Sequence, residues 1–175
     1  MMKKQIMIVL FVQIFFGLYA QGVKQGDVEQ EPSIINAMVD RSWTGSGSLM
    51  GSDATFKMDW QKVLDDKFIK LEFQNERRSK DDGKLIKFGA TGFYQIVNNT
   101  TIVGNWYDNR GITFPLIGTL EGKKLTVLWG SDGTEQGKTI YSVNQDDKIS
   151  VYDFILIDGV YRQFGSASYN LSDRN

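Results

Sequence analysis

Ala54-Thr55-Phe56-Lys57-Met58-Asp59-Trp60-Gln61 and, beyond the break Leu64-Asp65-Asp66-Lys67, Ile69-Lys70-Leu71-Glu72-Phe73 are the stretches that decide the fold. In both, apolar and polar side chains alternate. Successive side chains of a β-strand point to opposite faces, so Ala54, Phe56, Met58 and Trp60, and then Ile69, Leu71 and Phe73, form one dry face while the lysines and acids between them face water. The Asp pair between the runs is turn chemistry, because Asp hydrogen-bonds nearby backbone and tolerates positive φ. Two strands joined by such a turn make an antiparallel hairpin with one wet and one dry side.

The same pattern continues outward from this hairpin. Ile86, Phe88, Ala90, Gly92 and Tyr94 share one face of a later run, and Leu125, Val127 and Trp129 one face of another. Acidic pairs followed by Lys recur at Asp81-Asp82-Gly83-Lys84 and Asp146-Asp147-Lys148, and Asp-Gly or Asn-containing breaks recur at intervals of about 8 to 14 residues. Closely spaced carboxylates could also serve calcium or acid–base chemistry, but the neighbouring Lys and the spacing favour turns. Strands are predicted at 41–51, 54–63, 68–75, 85–97, 101–108, 112–120, 124–130, 138–145, 148–157 and 160–171. Ten such strands in a meander must close on themselves or leave long edges, and closure into an up-and-down barrel is the simpler solution. The fold class is therefore all-β, a ten-stranded antiparallel barrel over 32–175. Pro32 to Asp40 precedes it, with Ile34, Ile35, Met38 and Val39 at the spacing of one helical face, and reads as a short lid or plug helix.

Residues 1–20 read as an address. Lys3 and Lys4 precede an apolar run from Ile6 to Leu18, and Leu18-Tyr19-Ala20 offers a small residue before Gln21, the pattern of a cleaved secretory signal. The run is shorter than the roughly 20 apolar residues of a membrane span. The expectation is a secreted or periplasmic protein with no membrane insertion after cleavage, beginning with a polar tail over 21–31.

Composition narrows the chemistry. The 175 residues include no Cys and no His, and 13% are aromatic. No disulfide, thiolate nucleophile, lipidated cysteine, Ser-His-Asp triad or imidazole metal ligand can be built from them. The formal net charge of −1 becomes more negative once Lys3 and Lys4 are removed, which gives no electrostatic footprint for nucleic acid. No metal and no cofactor is expected.

Several short motifs resemble one family. Trp43 opens the first strand ahead of the alternate glycines Gly45 and Gly47. Leu64-Asp65-Asp66-Lys67-Phe68 leads into the third strand, Trp106-Tyr107-Asp108-Asn109-Arg110-Gly111 closes the fifth, and Gly122-Lys123-Lys124-Leu125-Thr126 starts the seventh. In that order they are similar to exported bacterial lipocalin-like barrels of a domain-of-unknown-function family, within the calycin superfamily that also holds fatty-acid-binding and nitrobindin-like barrels. The resemblance spans roughly 32–171 and implies the fold without a defined activity. Haem, held by histidine in the nitrobindin-like branch, is not carried over to a chain without histidine. Lipocalins have Gly two positions before the Trp, where Arg41 stands here, and pack an Arg from the last strand across it, which makes Arg162 the matching position.

If the barrel encloses a cavity, its expected ligand-binding lining is Phe56, Met58, Trp60, Leu71, Phe73, Phe88, Tyr94, Trp106, Phe114 and Trp129, with Arg162 as an anion anchor. The same aromatic residues could instead fill the barrel completely. Asp108, Asn109 and Arg110 sit in one connection, placed either for the barrel mouth or for hairpin chemistry. Three readings stay open. The first is a carrier of a small, largely apolar ligand. The second is a non-metal isomerase, cyclase or hydrolase using a buried carboxyl, with Asp153, inside an apolar strand, as the first candidate. The third is a filled barrel that meets a protein partner, including a second copy of itself, through the apolar stretches Phe154–Ile157 or Phe114–Ile117, unless the N-terminal helix covers them. An open cavity with a buried acid favours the enzyme; an open cavity without one favours the carrier.

Overall fold

A computed structural model describes residues 34–144 and 146–172. The proposed signal peptide and the tail over 21–31 lie outside them. The first element is helix α1 (Ile34–Met38), followed by strands β1 (Arg41–Leu49), β2 (Ser52–Val63), β3 (Phe68–Arg78), β4 (Leu85–Asn98), β5 (Thr101–Asp108), β6 (Thr113–Glu121), β7 (Lys124–Trp129), β8 (Gly137–Val143), β9 (Ile149–Ile157) and β10 (Val160–Leu171). Every strand pairs antiparallel with its sequence neighbours, and β1 pairs with β10, so the sheet closes as an up-and-down barrel. Closure leaves no free edge.

The turns follow from their residues. Asp65, Asp66, Asp147 and Asp158 all take positive φ, as Asp tolerates in tight connections. At the closing seam, glycine is required by contact: a Cβ on Gly47 would lie 2.0 Å from the carbonyl oxygen of Ser166 on β10. Pro115 lies inside β6, one residue past the last β6–β7 pair, Leu116 with Trp129, where the ladder ends; its carbonyl accepts from Gly130 N at 3.2 Å, and its missing N–H leaves the reciprocal bond unmade.

One barrel end is closed. Ile34, Ile35, Met38 and Val39 of α1 and its exit are all buried. The Trp43 indole N–H donates to the Met38 carbonyl at 3.2 Å, and Ile34 N donates to Gly122 O at 3.0 Å, which ties the helix to the rim. Asp40, in the left-handed region at φ 59°, ends the helix and accepts the Lys62 N–H at 3.1 Å. Beneath α1 lie Trp43, Trp60, Ile69, Leu71, Ile102, Leu125 and Ile149, all buried.

The helix therefore plugs an end and does not cover the outer wall, which corrects the reading of it as a cover for the apolar strands. On that wall Ile117 and Leu128, paired across β6 and β7, are both exposed. Phe154 on β9 is covered by a side chain instead: Lys138 places its ammonium 5.0 Å from the Phe154 ring and 4.2 Å from that of Tyr161.

Candidate functional site

Above the closed end the barrel holds a cavity of about 570 Å³ that opens at the other end. Its walls are aromatic. Phe73 is the hub, with ring centroids 6.3 Å from Phe56, 6.2 Å from Phe88 and 5.9 Å from Trp106, while Phe114 and Trp129 make a second pair at 5.6 Å across β6 and β7. Such tilted and edge contacts are the arrangements that ring quadrupoles favour. Met58 and Tyr94 complete the apolar lining from below.

The structure thus places Phe56, Met58, Phe73, Phe88, Tyr94, Trp106, Phe114 and Trp129 on the cavity wall. Trp60 and Leu71 need correction. They pair with each other across β2 and β3 and are wholly buried in the packed closed end, Trp60 stacking on Tyr94 at 5.5 Å and meeting Tyr141 edge-on at 5.7 Å. A period of two reports which face a residue takes, not its height in the barrel.

Arg162 needs correction too. It pairs with Ile155 near the exposed β9–β10 hairpin, where Ile157, Val160 and Tyr161 are also exposed, and it is not on the cavity wall. Trp43 pairs with Leu171, at the opposite end of β10, so Arg162 does not pack across Trp43.

Polar groups enter the wall at a few points. Asp153 on β9 is half-buried and accepts a hydrogen bond from Thr139 Oγ1 on β8 at 2.7 Å. Burial pushes its carboxyl up to about 6, against the opposing effect of the Thr139 bond. Tyr141 and Tyr94, hydrogen-bonded to each other, and Tyr169 also line the cavity, and burial holds all three phenols well above their ordinary range. On β3, two positions beyond Phe73, Asn75 is buried to 6% exposure and its Oδ1 has no hydrogen-bond partner among the described residues. Arg77 follows on the same face, half-buried at the mouth, with a contact to Met50 Sδ at 3.2 Å.

The Asp108-Asn109-Arg110 connection does both things that its sequence allowed. Asp108 Oδ1 accepts from Arg110 N at 2.9 Å in the turn, and Gly111 takes φ 80°. Asn109 and Arg110 also line the mouth. The Arg110 guanidinium bonds Asp108 at 2.8 Å and Glu135 of the β7–β8 loop at 3.2 Å and lies 5.7 Å from the Phe88 ring centre, so it clamps two mouth loops together. Burial raises the Asp108 carboxyl, yet the Arg110 bonds outweigh it and hold the group below the usual carboxylate range.

Asn75, Arg77, Thr139, Tyr141 and Tyr169 were missed from sequence. The signal was present for two of them: Asn75 and Arg77 continue the inward parity of Ile69, Leu71 and Phe73. Neither a protein-family model nor a curated protein matches this chain.

Proposed function

We propose that this protein is an exported, calycin-like barrel that binds a small, largely apolar molecule in its cavity. The observation that carries the reading is the cavity itself: about 570 Å³, open at one end, walled by aromatic side chains and fitted with few polar groups. That combination is what small-molecule sites share. A filled barrel would have left no such space.

The Asp153 carboxyl supports a second reading, proton transfer on the bound molecule. A group that titrates near 6 can exchange a proton near neutral pH, and Tyr141 stands in the same wall. By the criterion set from sequence, an open cavity with a buried acid favours this enzyme reading. Binding is common to both, and proton transfer would show as deuterium taken up from D2O into the recovered ligand with the parent protein and not with Asp153→Asn.

Binding is tested by titrating the purified protein with diphenylhexatriene, a neutral apolar fluorophore. The expected result is saturable emission at about one molecule per chain, with affinity in roughly the micromolar range or tighter. Emission that rises linearly without saturation contradicts an open apolar site.

A further inference from the structure

Resting on the binding reading above, we infer that the cavity takes lipophilic amines, entering as protonated ammonium ions with the apolar part among the aromatic walls. The wall offers a carboxylate that no cation of the described residues neutralises. Asp153 uses one oxygen for the Thr139 hydroxyl at 2.7 Å. The groups around it are Thr139 and Tyr141 from β8, and Gly165 and Tyr169 from β10, a Cβ on Gly165 falling 3.1 Å from Asp153 Oδ2. None is cationic.

Among the described residues, two of the three cations that line the cavity, Arg110 and Lys87, are paired with carboxylates. Lys138, next to Thr139, faces outward over Phe154 and Tyr161. Arg110 is held by Asp108 and Glu135, and Lys87 by Glu76 at 2.8 Å. Arg77 sits on β3 at the mouth, against Met50 Sδ, with no carboxylate partner among the described residues, and it is not paired with Asp153. Among the described residues no Lys or Arg forms an ion pair with Asp153, so its negative charge meets no counter-charge from them.

An ammonium group carries three N–H donors and a charge that the faces of Phe56, Phe73 and Trp106 also attract. An alcohol supplies one donor and no charge, and a carboxylate supplies neither donor nor the right sign.

The test is displacement of diphenylhexatriene at pH 7.5 by three matched competitors: 4-phenylbutylamine, 4-phenylbutan-1-ol and 4-phenylbutyrate. The amine is expected to displace at about tenfold lower concentration than the alcohol, the effect of one charge-assisted hydrogen bond. In Asp153→Asn the amine-to-alcohol ratio is expected to fall to about one. With the unaltered protein, the same ratio is expected to shrink as the pH is lowered from 7.5 to 5, because Asp153 takes up a proton while the amine stays charged. Equal displacement by all three, or an amine preference that survives both Asp153→Asn and the lower pH, overturns the inference. Preference for phenylbutyrate also overturns it and points to Arg77. Failure of diphenylhexatriene itself to bind removes the cavity reading on which the inference rests, whereas uptake without amine preference removes the inference alone.

Discussion

Trp60→Ala is expected to lower the free energy of unfolding by about 3–5 kcal/mol, the cost of deleting a large aromatic from a packed core. Trp60 is fully buried, stacked on Tyr94 and edge-on to Tyr141, and it pairs with Leu71, which is also fully buried. The hole left by alanine would lie between the cavity floor and the α1 plug, where strands and helix already meet and little can collapse inward. Urea denaturation followed by far-ultraviolet circular dichroism measures the loss. Phe73→Ala provides the contrast. Phe73 faces existing empty space, so its removal costs fewer packed contacts and is expected to destabilise by less. Equal costs for the two substitutions would mean that the space around Phe73 is filled and the cavity closed.

The second large effect is a pH dependence. The folded Asp153 carboxyl titrates at about 6, above the ordinary 3.8, so the folded state holds this proton more tightly than the unfolded chain does. The sign follows from that. Below pH 3.8 both states are protonated and the full contribution is present; it declines as pH rises and is lost above about 6. A shift of this size corresponds to about 3 kcal/mol. Asp153→Asn is expected to abolish that slope, so the stability difference between variant and parent should grow in the variant's favour by about 3 kcal/mol from pH 3.8 to 7.5. Comparing the two proteins cancels the titration of all other carboxyls. A difference that stays flat across that window would show that Asp153 is solvated as an ordinary surface acid. The same uncompensated charge is what a bound ammonium would neutralise, so stability and ligand preference have one origin.

Much of the barrel was legible in the sequence because turn chemistry is local. The Asp-rich and Asp-Gly breaks fell where the strands turn, and β5 and β10 have the predicted limits, 101–108 and 160–171. Of the strands that were predicted too short, β3 is the most instructive. An end at 75 was expected for β3, yet the strand runs to Arg78. The apolar alternation stops at Asn75 and Arg77 because those inward positions line the cavity, so the pattern failed where the site begins. Thr139 and Asp153 break the pattern for the same reason on β8 and β9.

Height along the barrel was not legible. Phe56, Met58 and Trp60 share a face of β2, but the first two line the cavity and the third lies beneath it, a distinction set by where α1 seats against the opposite strands. Arg162 failed for a related reason. Its position was assigned from a family pattern at one end of the barrel, whereas the register of β10 carries it to the other.

The central claim, that an apolar molecule occupies this cavity, is tested most directly by contact quenching with 1-bromodecane, a neutral apolar quencher that must approach an indole closely to act. Trp106 and Trp129 line the cavity, while Trp43 and Trp60 are buried in the closed end. Saturable quenching of the parent protein is expected, with most of it lost in the Trp106→Phe/Trp129→Phe double variant. Quenching that does not saturate, or that survives in full in the double variant, would contradict the account.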